Sequence, residues 1–268
     1  MSILRKSESC RHPGKCLARA FIPILLLCLV SGGAEAADRK IPFHPGERLT
    51  YRATWGVLPA GDLTLEVLPM ESMRGVAAYH FAMTTKTNTV IDLVYKVRER
   101  QDSYVDEGMT HSILYKKWSE GEHPRDVVVD FNWEKREATR SNFGEKMTPV
   151  PLAPGSFDSL ALFFVIRLYD LKENRTLEIP ITRGDNSITV RATVVKREKI
   201  EIAGKPYDAF EVVPDMERLE RDKVIKKSDT PELRIWFTTD ARKIPVKIRS
   251  KVKVGHFVFE LVGANLGE

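Results

Sequence analysis

Apolar and polar side chains alternate with a period of two in one short segment after another from residue 49 onward. In residues 49–55 the apolar and aromatic side chains occupy the odd positions, and Leu63, Leu65 and Val67 alternate with polar neighbours. Successive side chains of a strand point to opposite faces, so this alternation predicts half-buried β-strands. The same pattern recurs in residues 79–87, 95–105, 112–119, 126–133, 137–143, 176–182, 187–202, 207–213, 233–238, 244–254 and 257–262.

Turns that contain glycine or proline separate these segments at short intervals, for example at residues 56–61, 184–186 and 204–206. About a dozen strands at such spacing favour antiparallel pairing over β-α-β units. We therefore predict a mainly β fold, an antiparallel and strongly curved sheet that forms an open half-barrel or a closed barrel. The sequence contains no internal repeat and no low-complexity linker, so residues 37–268 are expected to form a single domain.

One segment, residues 156–170, lacks the alternation and predicts the one principal helix of the fold. Ser156 is placed to cap its first turn, and Asp158 lies where a carboxylate favours the start of a helix. Apolar residues surround this helix almost completely, so most of its surface has to be buried. Two interpretations stay open: the helix fills the core, or it lines a hydrophobic ligand cavity.

Arg167 follows Asp158 by nine positions within this segment. At about 100° per residue the two side chains lie on opposite sides of the predicted helix and cannot pair. Because an unpaired buried guanidinium is very costly, Arg167 needs a partner such as Asp170 or a carboxylate of the sheet. It is either half of a structural ion pair or a residue that recognises an anionic head group.

The first 36 residues differ in composition from the rest of the chain. Five basic residues precede an apolar run at residues 20–30, and Ala34 and Ala36 form an A-x-A cleavage site. This arrangement is typical of a secretory signal peptide, with cleavage predicted after Ala36. The run is shorter than the roughly 20 residues of a spanning helix. We expect residues 37–268 to be periplasmic and to contain no transmembrane segment. They contain no cysteine, because Cys10, Cys16 and Cys28 all lie in the predicted signal.

Most of the positive charge also belongs to this signal. Removing residues 1–36 takes away five basic and two acidic residues, so the net charge falls from +5 to +2. Binding through the phosphate backbone needs a dense positive surface, which such a balance does not predict. We therefore expect no nucleic-acid partner.

Four basic residues alternate with apolar ones between residues 244 and 254, and we call them the basic stripe: Lys247, Arg249, Lys251 and Lys253. On a strand they share one face, with neighbours about 7 Å apart. The stripe is either a solvated face whose lysines discourage edge-to-edge pairing of sheets, or an anion-binding surface for a phosphorylated lipid or acidic polymer.

No motif of the sequence indicates catalysis. The nucleophile elbow G-x-S-x-G, the zinc motif H-E-x-x-H, the P-loop and the dinucleotide fingerprint G-x-G-x-x-G are all absent. The histidines after residue 36 show no spacing typical of a ligand pair. We expect no enzymatic activity, no cofactor and no metal site.

Three blocks of the chain resemble a known family. They are Gly46-Glu47 through Trp55-Gly56 in the pattern GE-x-L-x-Y-x-x-x-WG, then Phe157-Asp158-Ser159-Leu160, and finally the block that begins at Trp236 and ends in Pro245-Val246. In this order the blocks resemble a large bacterial family of secreted proteins classified as a domain of unknown function. The resemblance implies an exported, β-rich, periplasmic domain and supplies no catalytic residues.

Two functions of different classes follow from these observations. The first is a periplasmic binding module that holds an apolar or acyl-bearing ligand between the sheet and the helix. The second is a structural or assembly partner in the cell envelope with a filled core and no small-molecule ligand. The candidate ligand-binding residues are Trp55, Phe163, Phe164, Arg167 and Trp236.

Overall fold

The computed structural model describes residues 40–121, 124–215, 232–252 and 255–267. The predicted signal peptide therefore lies outside the described residues. Within the described parts, fifteen strands belong to one antiparallel sheet: β1 (Glu47–Trp55), β2 (Leu58–Met73), β3 (Val76–Thr87), β4 (Arg98–Asp106), β5 (Ser112–Glu120), β6 (Arg125–Asn132), β7 (Glu137–Asn142), β8 (Glu145–Lys146), β9 (Val150–Pro151), β10 (Thr176–Thr182), β11 (Ser187–Ile202), β12 (Lys205–Asp215), β13 (Leu233–Thr238), β14 (Pro245–Lys251) and β15 (His256–Leu266).

Two short helices interrupt the strands, α1 (Thr89–Asp92) between β3 and β4, and α2 (Leu162–Val165) between β9 and β10. Helix α2 continues into a 3-10 turn, Ile166–Leu168. No helix among the described residues has both the length and the apolar character needed to cross a bilayer. The prediction of a mainly β, antiparallel fold is confirmed.

The sheet runs in the order β10-β11-β12-β13-β14-β15-β1-β2-β3-β4-β5-β6-β7-β8, and β9 pairs with β7. Almost every strand pairs with its neighbour in sequence. The exceptions are the pair of β7 and β9 and the pair of β1 and β15, and the latter brings the two ends of the described chain together. The ladder of strands is not closed into a ring, because β10 and β8 are not paired with each other.

The segment between β9 and α2 links the two ends of this ladder. Phe157 forms a parallel bridge with Ile181 of β10. Its N–H donates to the carbonyl of Pro180 at 2.9 Å, and its carbonyl accepts from Thr182 at 2.8 Å. The hydroxyl of Ser187 in β11 donates to the carbonyl of Pro151 in β9 at 2.6 Å. The segment therefore forms backbone hydrogen bonds to β10, as a short strand would, at the point where the ladder is open.

The helix predicted over residues 156–170 is wrong in its extent. Because both backbone groups of Phe157 bond to β10, the chain cannot turn into a helix before Asp158. The carboxylate of Asp158 accepts the N–H groups of Leu160 and Ala161 at 2.9 and 3.0 Å and starts the turn that Ser156 was expected to cap. At the other end Tyr169 is extended, with φ −91° and ψ 152°.

The β1–β2 hairpin is tighter than the predicted turn of residues 56–61. Only residues 56 and 57 form the turn, and Gly56 has φ +60°, which favours glycine. Pro59 lies inside β2 next to a shift in register with β1, a position that tolerates proline. At Gly61, with φ +150°, a Cβ would lie 2.0 Å from the carbonyl oxygen of Lys86, so β2 and β3 approach closely there.

The core lies on the inner face of the sheet, where α2 packs. The ring of Phe164 stacks on Phe81 of β3 with 3.9 Å between centroids, and Phe43 packs edge-on against both rings at 5.4 and 5.5 Å. These three rings are almost completely buried. The side chains of the protein itself therefore fill the space that α2 faces at this position.

Candidate functional site

Glu47 and Arg167 form an ion pair that is almost completely buried, with side chains 2% and 1% exposed. The two oxygens of Glu47 accept from Nη1 and Nη2 of Arg167 at 2.6 and 2.9 Å. The partner of Arg167 is therefore a carboxylate of the sheet, at the first residue of β1. Asp170, the other expected partner, pairs with Lys172 instead.

The guanidinium of Arg167 also donates to oxygens of the protein backbone. Its Nε donates to the carbonyl of Arg242 at 3.0 Å, and Nη2 also donates to the carbonyl of Pro42 at 3.3 Å. The guanidinium lies over the ring of Phe43 at 5.0 Å from the centroid. Every guanidinium nitrogen thus bonds to an oxygen of the chain, which is the arrangement of a structural ion pair.

Asp158 is a second buried charged group, at the link between the two ends of the sheet. Its Oδ2 accepts from the hydroxyls of Ser103 and Ser112, each at 2.6 Å, and its Oδ1 accepts the two N–H groups that start α2. Burial raises the pKa of Asp158 above its usual range, although these four donors act in the opposite direction. This carboxyl connects β4, β5 and α2.

The structure does not bring the five predicted ligand-binding residues together. Phe164 and Arg167 share the aromatic cluster around Phe43, and Phe163 is partly buried beside them on α2. Trp55 ends β1 in a separate small cluster with Ala60 and Ile91. Trp236 is 8% exposed and belongs to the main hydrophobic cluster, but it lies on the face of β13 opposite to Ile235 and Phe237, because side chains alternate along a strand. There its Nε1 donates to Glu198 at 2.9 Å.

An exposed apolar surface lies where the β1–β2 turn meets α1. The side chain of Asn88, which caps α1, donates to the carbonyl of Pro59 at 2.6 Å, and its backbone N–H donates to the carbonyl of Ala60 at 2.9 Å. These bonds hold α1 against the start of β2. We call the exposed apolar residues of the turn and of α1 with its following residues the apolar tip: Val57, Leu58, Val90, Leu93, Val94 and Tyr95.

The exposure of the apolar tip is high. Val57 is 93% exposed, Leu93 86% and Val94 73%. The sequence pattern does not predict this surface, because residues 95–105 suit a strand and no turn residue separates Tyr95 from the apolar residues before it. The signal was present in Val90-Ile91-Asp92-Leu93-Val94-Tyr95, an apolar run that does not alternate. Only Ile91 of this run is buried.

The basic stripe lies on β14, and the structure corrects its explanation as protection of a sheet edge. Strand β14 pairs with β13 on one side and β15 on the other, so the stripe is on the outer face of an interior strand. Lys247 pairs with Glu260 at 3.0 Å and lies over the ring of Trp236. Arg249 and Lys251 are exposed and form no ion pair within the parts of the chain that the structure describes. Lys253 lies outside those parts.

An open pocket of about 390 Å³ lies where β13 begins, β14 ends and β15 begins. Arg249 and Lys251 line it together with His256, Arg234 and Glu232. Arg234 is already bound by Glu211 and Glu232, at 2.6 and 2.5 Å. The pocket therefore presents two cations without an ion pair in the described chain, beside the carboxylate of Glu232, whose pKa is lowered mainly by Arg234 and further by these two cations.

The fold and these surfaces define a barrel-like antiparallel β protein with a packed interior and an exposed apolar end. The chain belongs to the family described as protein of unknown function DUF3108, whose model matches residues 50–262. The predicted membership of an uncharacterised family is thereby confirmed. A comparison with curated proteins finds no match.

A solved structure has a similar fold. It is a crystal structure of a β-barrel-like protein of the domain of unknown function DUF1849 from Brucella abortus, with a TM-score of 0.54 and 10% sequence identity. The similarity covers 83% of this chain and 98% of that chain. At such low identity the likeness shows the fold alone, and it agrees with the barrel-like architecture.

Proposed function

We propose that this protein is a periplasmic binding module for an apolar or acyl-bearing partner, and that it binds this partner through the apolar tip. The observation that carries the proposal is the exposure of Val57, Leu93 and Val94 on two segments that the hydrogen bonds of Asn88 hold side by side. Contiguous apolar patches on a folded domain are typical of binding sites, because burying them against a partner is favourable. The periplasmic location is supported by the signal peptide predicted over residues 1–36.

The tip is a better candidate than the space beside α2. A ligand there would have to displace Phe164 from its stack on Phe81, in an interior packed by the chain's own rings. The tip needs no such rearrangement, because its side chains already face solvent. Hydrogen bonds from Asn88 hold α1 in place on β2, so the surface is organised before a partner arrives.

A second candidate function is that of an envelope assembly partner without a small-molecule ligand. The filled interior around Phe43, Phe81 and Phe164 favours it. In that case the apolar tip would contact another protein of the envelope. The two candidates share the surface and differ in what covers it.

Replacing three tip residues with serine, in the variant Val57→Ser, Leu93→Ser and Val94→Ser, should weaken binding to phosphatidylcholine vesicles at least about tenfold. Each exposed side chain contributes part of the roughly 1.5–3 kcal/mol that full burial of such a residue is worth. Vesicle flotation measures the binding, and native mass spectrometry of the purified protein detects bound acyl-bearing molecules. Folding should be unchanged, since these side chains are exposed.

The matched control uses apolar residues at the opposite end of β2 and β3, in the variant Met70→Ser and Val76→Ser, which are 39% and 46% exposed in the wild type. This variant should bind as the wild type does. Equal loss in both variants would contradict a role of the tip. If the wild type binds no acyl-bearing molecule and no vesicle, the binding module is contradicted and the second candidate function remains. That function predicts a protein that binds the wild type and does not bind the tip variant.

A further inference from the structure

The pocket and the apolar tip form one end of the molecule. Strands β13 to β5 alternate in direction, so the start of β13, the end of β14, the start of β15, the β1–β2 turn and α1 all lie at the same end of the sheet. The N–H of Gly56 donates to the carbonyl of His256 at 3.2 Å. Phe257 stacks on Trp55 with 6.1 Å between centroids. The wall of the pocket therefore continues directly into the hairpin that carries the tip.

Some charged side chains at this end form ion pairs, and others do not. The carboxylate of Asp92 on α1 binds Arg98, and Lys96 pairs with Glu120. The carboxylate of Glu232 in the pocket binds Arg234. Arg249 and Lys251 alone among these groups face solvent without an ion pair in the described chain. The end of the sheet thus combines apolar side chains with two available positive charges.

The spacing of these groups fits the layers of a bilayer. Lys251 is the last residue of β14, and Arg249 lies two residues back, about 7 Å along the strand. The polar layer of a bilayer is about 5–8 Å thick on each side of the hydrocarbon. When the tip enters the apolar layer, both long side chains can reach phosphate groups in the layer above it.

We propose that the apolar partner is the surface of an anionic phospholipid bilayer, with the apolar tip inserted and Arg249 and Lys251 bound to lipid phosphates. This proposal rests on the proposed function and names its partner. Charge complementarity favours a bilayer, because an uncharged acyl ligand needs no cations beside the tip, whereas an anionic surface attracts them. Within the basic stripe, Arg249 and Lys251 thus bind lipid, whereas Lys247 pairs with Glu260 on the outer face.

The test compares vesicles of phosphatidylglycerol with vesicles of phosphatidylcholine at low and high salt. The wild type should bind phosphatidylglycerol more tightly, and high salt should remove most of the difference, since exposed charges are screened beyond about 8–10 Å in physiological salt. The variant Arg249→Gln and Lys251→Gln should lose about 25-fold in affinity for phosphatidylglycerol vesicles at low salt, at about fivefold for each cation. On phosphatidylcholine it should bind as the wild type does.

The matched control is the variant Lys199→Gln and Lys205→Gln, which removes two exposed cations near the β11–β12 turn at the other end of the sheet. It should bind both kinds of vesicle as the wild type does. Thermal unfolding of each variant checks that the fold is intact. An equal loss in this control would show that net charge, rather than the pocket, governs binding and would overturn the proposal.

Two further outcomes separate this proposal from the proposed function. In one outcome the wild type binds both kinds of vesicle equally while the tip variant binds neither. This outcome would overturn the proposed recognition of anionic lipid and leave the apolar binding module intact. Absence of vesicle binding together with a tip-dependent acyl ligand in native mass spectrometry would do the same. Absence of both would overturn the proposed function and this inference together.

Discussion

The variant Arg167→Met should unfold with a free energy about 3–5 kcal/mol below that of the wild type. The substitution leaves Glu47 as an unpaired carboxylate that is 2% exposed, and an unpaired buried charge is strongly destabilising. Methionine is close to arginine in length and keeps most of the packing against Phe43 and Phe164. Urea denaturation followed by circular dichroism measures the difference.

Arg48, which follows Glu47 in β1, supplies a control with the same substitution of arginine by methionine. Arg48 pairs with Glu66 at 2.9 Å on the outer face, and its side chain is 60% exposed. The variant Arg48→Met should lose less than about 1 kcal/mol, since exposed ion pairs contribute little. Similar losses in the two variants would contradict the assignment of Glu47 and Arg167 as a buried pair.

A double variant shows what the pair contributes as a unit. Glu47→Leu with Arg167→Met removes both charges, and replacing a buried pair by apolar residues is often neutral for stability. We expect the double variant to recover at least about half of the loss of Arg167→Met. The pair would then serve mainly to fix the position of α2 against β1, because only one arrangement of the two elements satisfies both side chains.

The strand pattern of this protein was largely predictable from local sequence. The predicted segments 176–182, 187–202 and 233–238 coincide with β10, β11 and β13. In β10, for example, Leu177, Ile179 and Ile181 are buried while Thr176 and Glu178 are exposed, which is the side-chain period of two that the sequence shows. The buried partner of Arg167 was also predictable in kind, because the cost of an unpaired guanidinium demands a carboxylate.

The errors arise where backbone contacts between distant segments decide the structure. The apolar residues 157–168 suit a helix, but β10 uses both backbone groups of Phe157 and delays the turn to Asp158. No local pattern contains that contact. The pairing of β14 with two neighbours is likewise a property of the whole sheet, and it was needed to exclude an edge position for the basic stripe.

The apolar tip was missed for a different reason. Helix α1 has four residues, which is too short to show a helical period, and strand β4 begins three residues after Tyr95. An apolar run before a strand therefore resembled the strand itself. Burial separates the two cases, because Ile91 is 3% exposed while Val90 is 69% exposed.

The variant Asp158→Ala should lose about 4 kcal/mol or more of unfolding free energy. It removes the acceptor of four hydrogen bonds, from two serine hydroxyls and two backbone N–H groups, in a fully buried position. Each buried donor left without an acceptor costs about 1–3 kcal/mol. The loss should also loosen the link between β5 and β10, since the hydroxyl of Ser112 in β5 loses its carboxylate acceptor next to Phe157, the residue that bonds to β10.

The variant Asp158→Asn is the matched control, because its amide oxygen can still accept the two backbone N–H groups and the serine hydroxyls can rotate to accept from its NH₂. It should be much more stable than Asp158→Ala. Comparing these two variants with the wild type separates the hydrogen-bonding role of the side chain from its charge. An asparagine variant as unstable as the alanine variant would show that the negative charge itself holds the link together.

The pH dependence of the asparagine variant tests the raised pKa of Asp158. Burial raises this pKa in the folded state above the value of about 3.9 in the unfolded chain, so the folded protein binds the proton more tightly. The stabilisation that results is fully present below the unfolded pKa and is lost as pH rises through the folded pKa.

Asp158→Asn lacks this contribution. Its stability relative to the wild type should therefore increase between about pH 4 and pH 7. A relative stability that falls over the same range, in urea titrations at matched pH, would mean that the fold favours the carboxylate, and that the four donors outweigh burial.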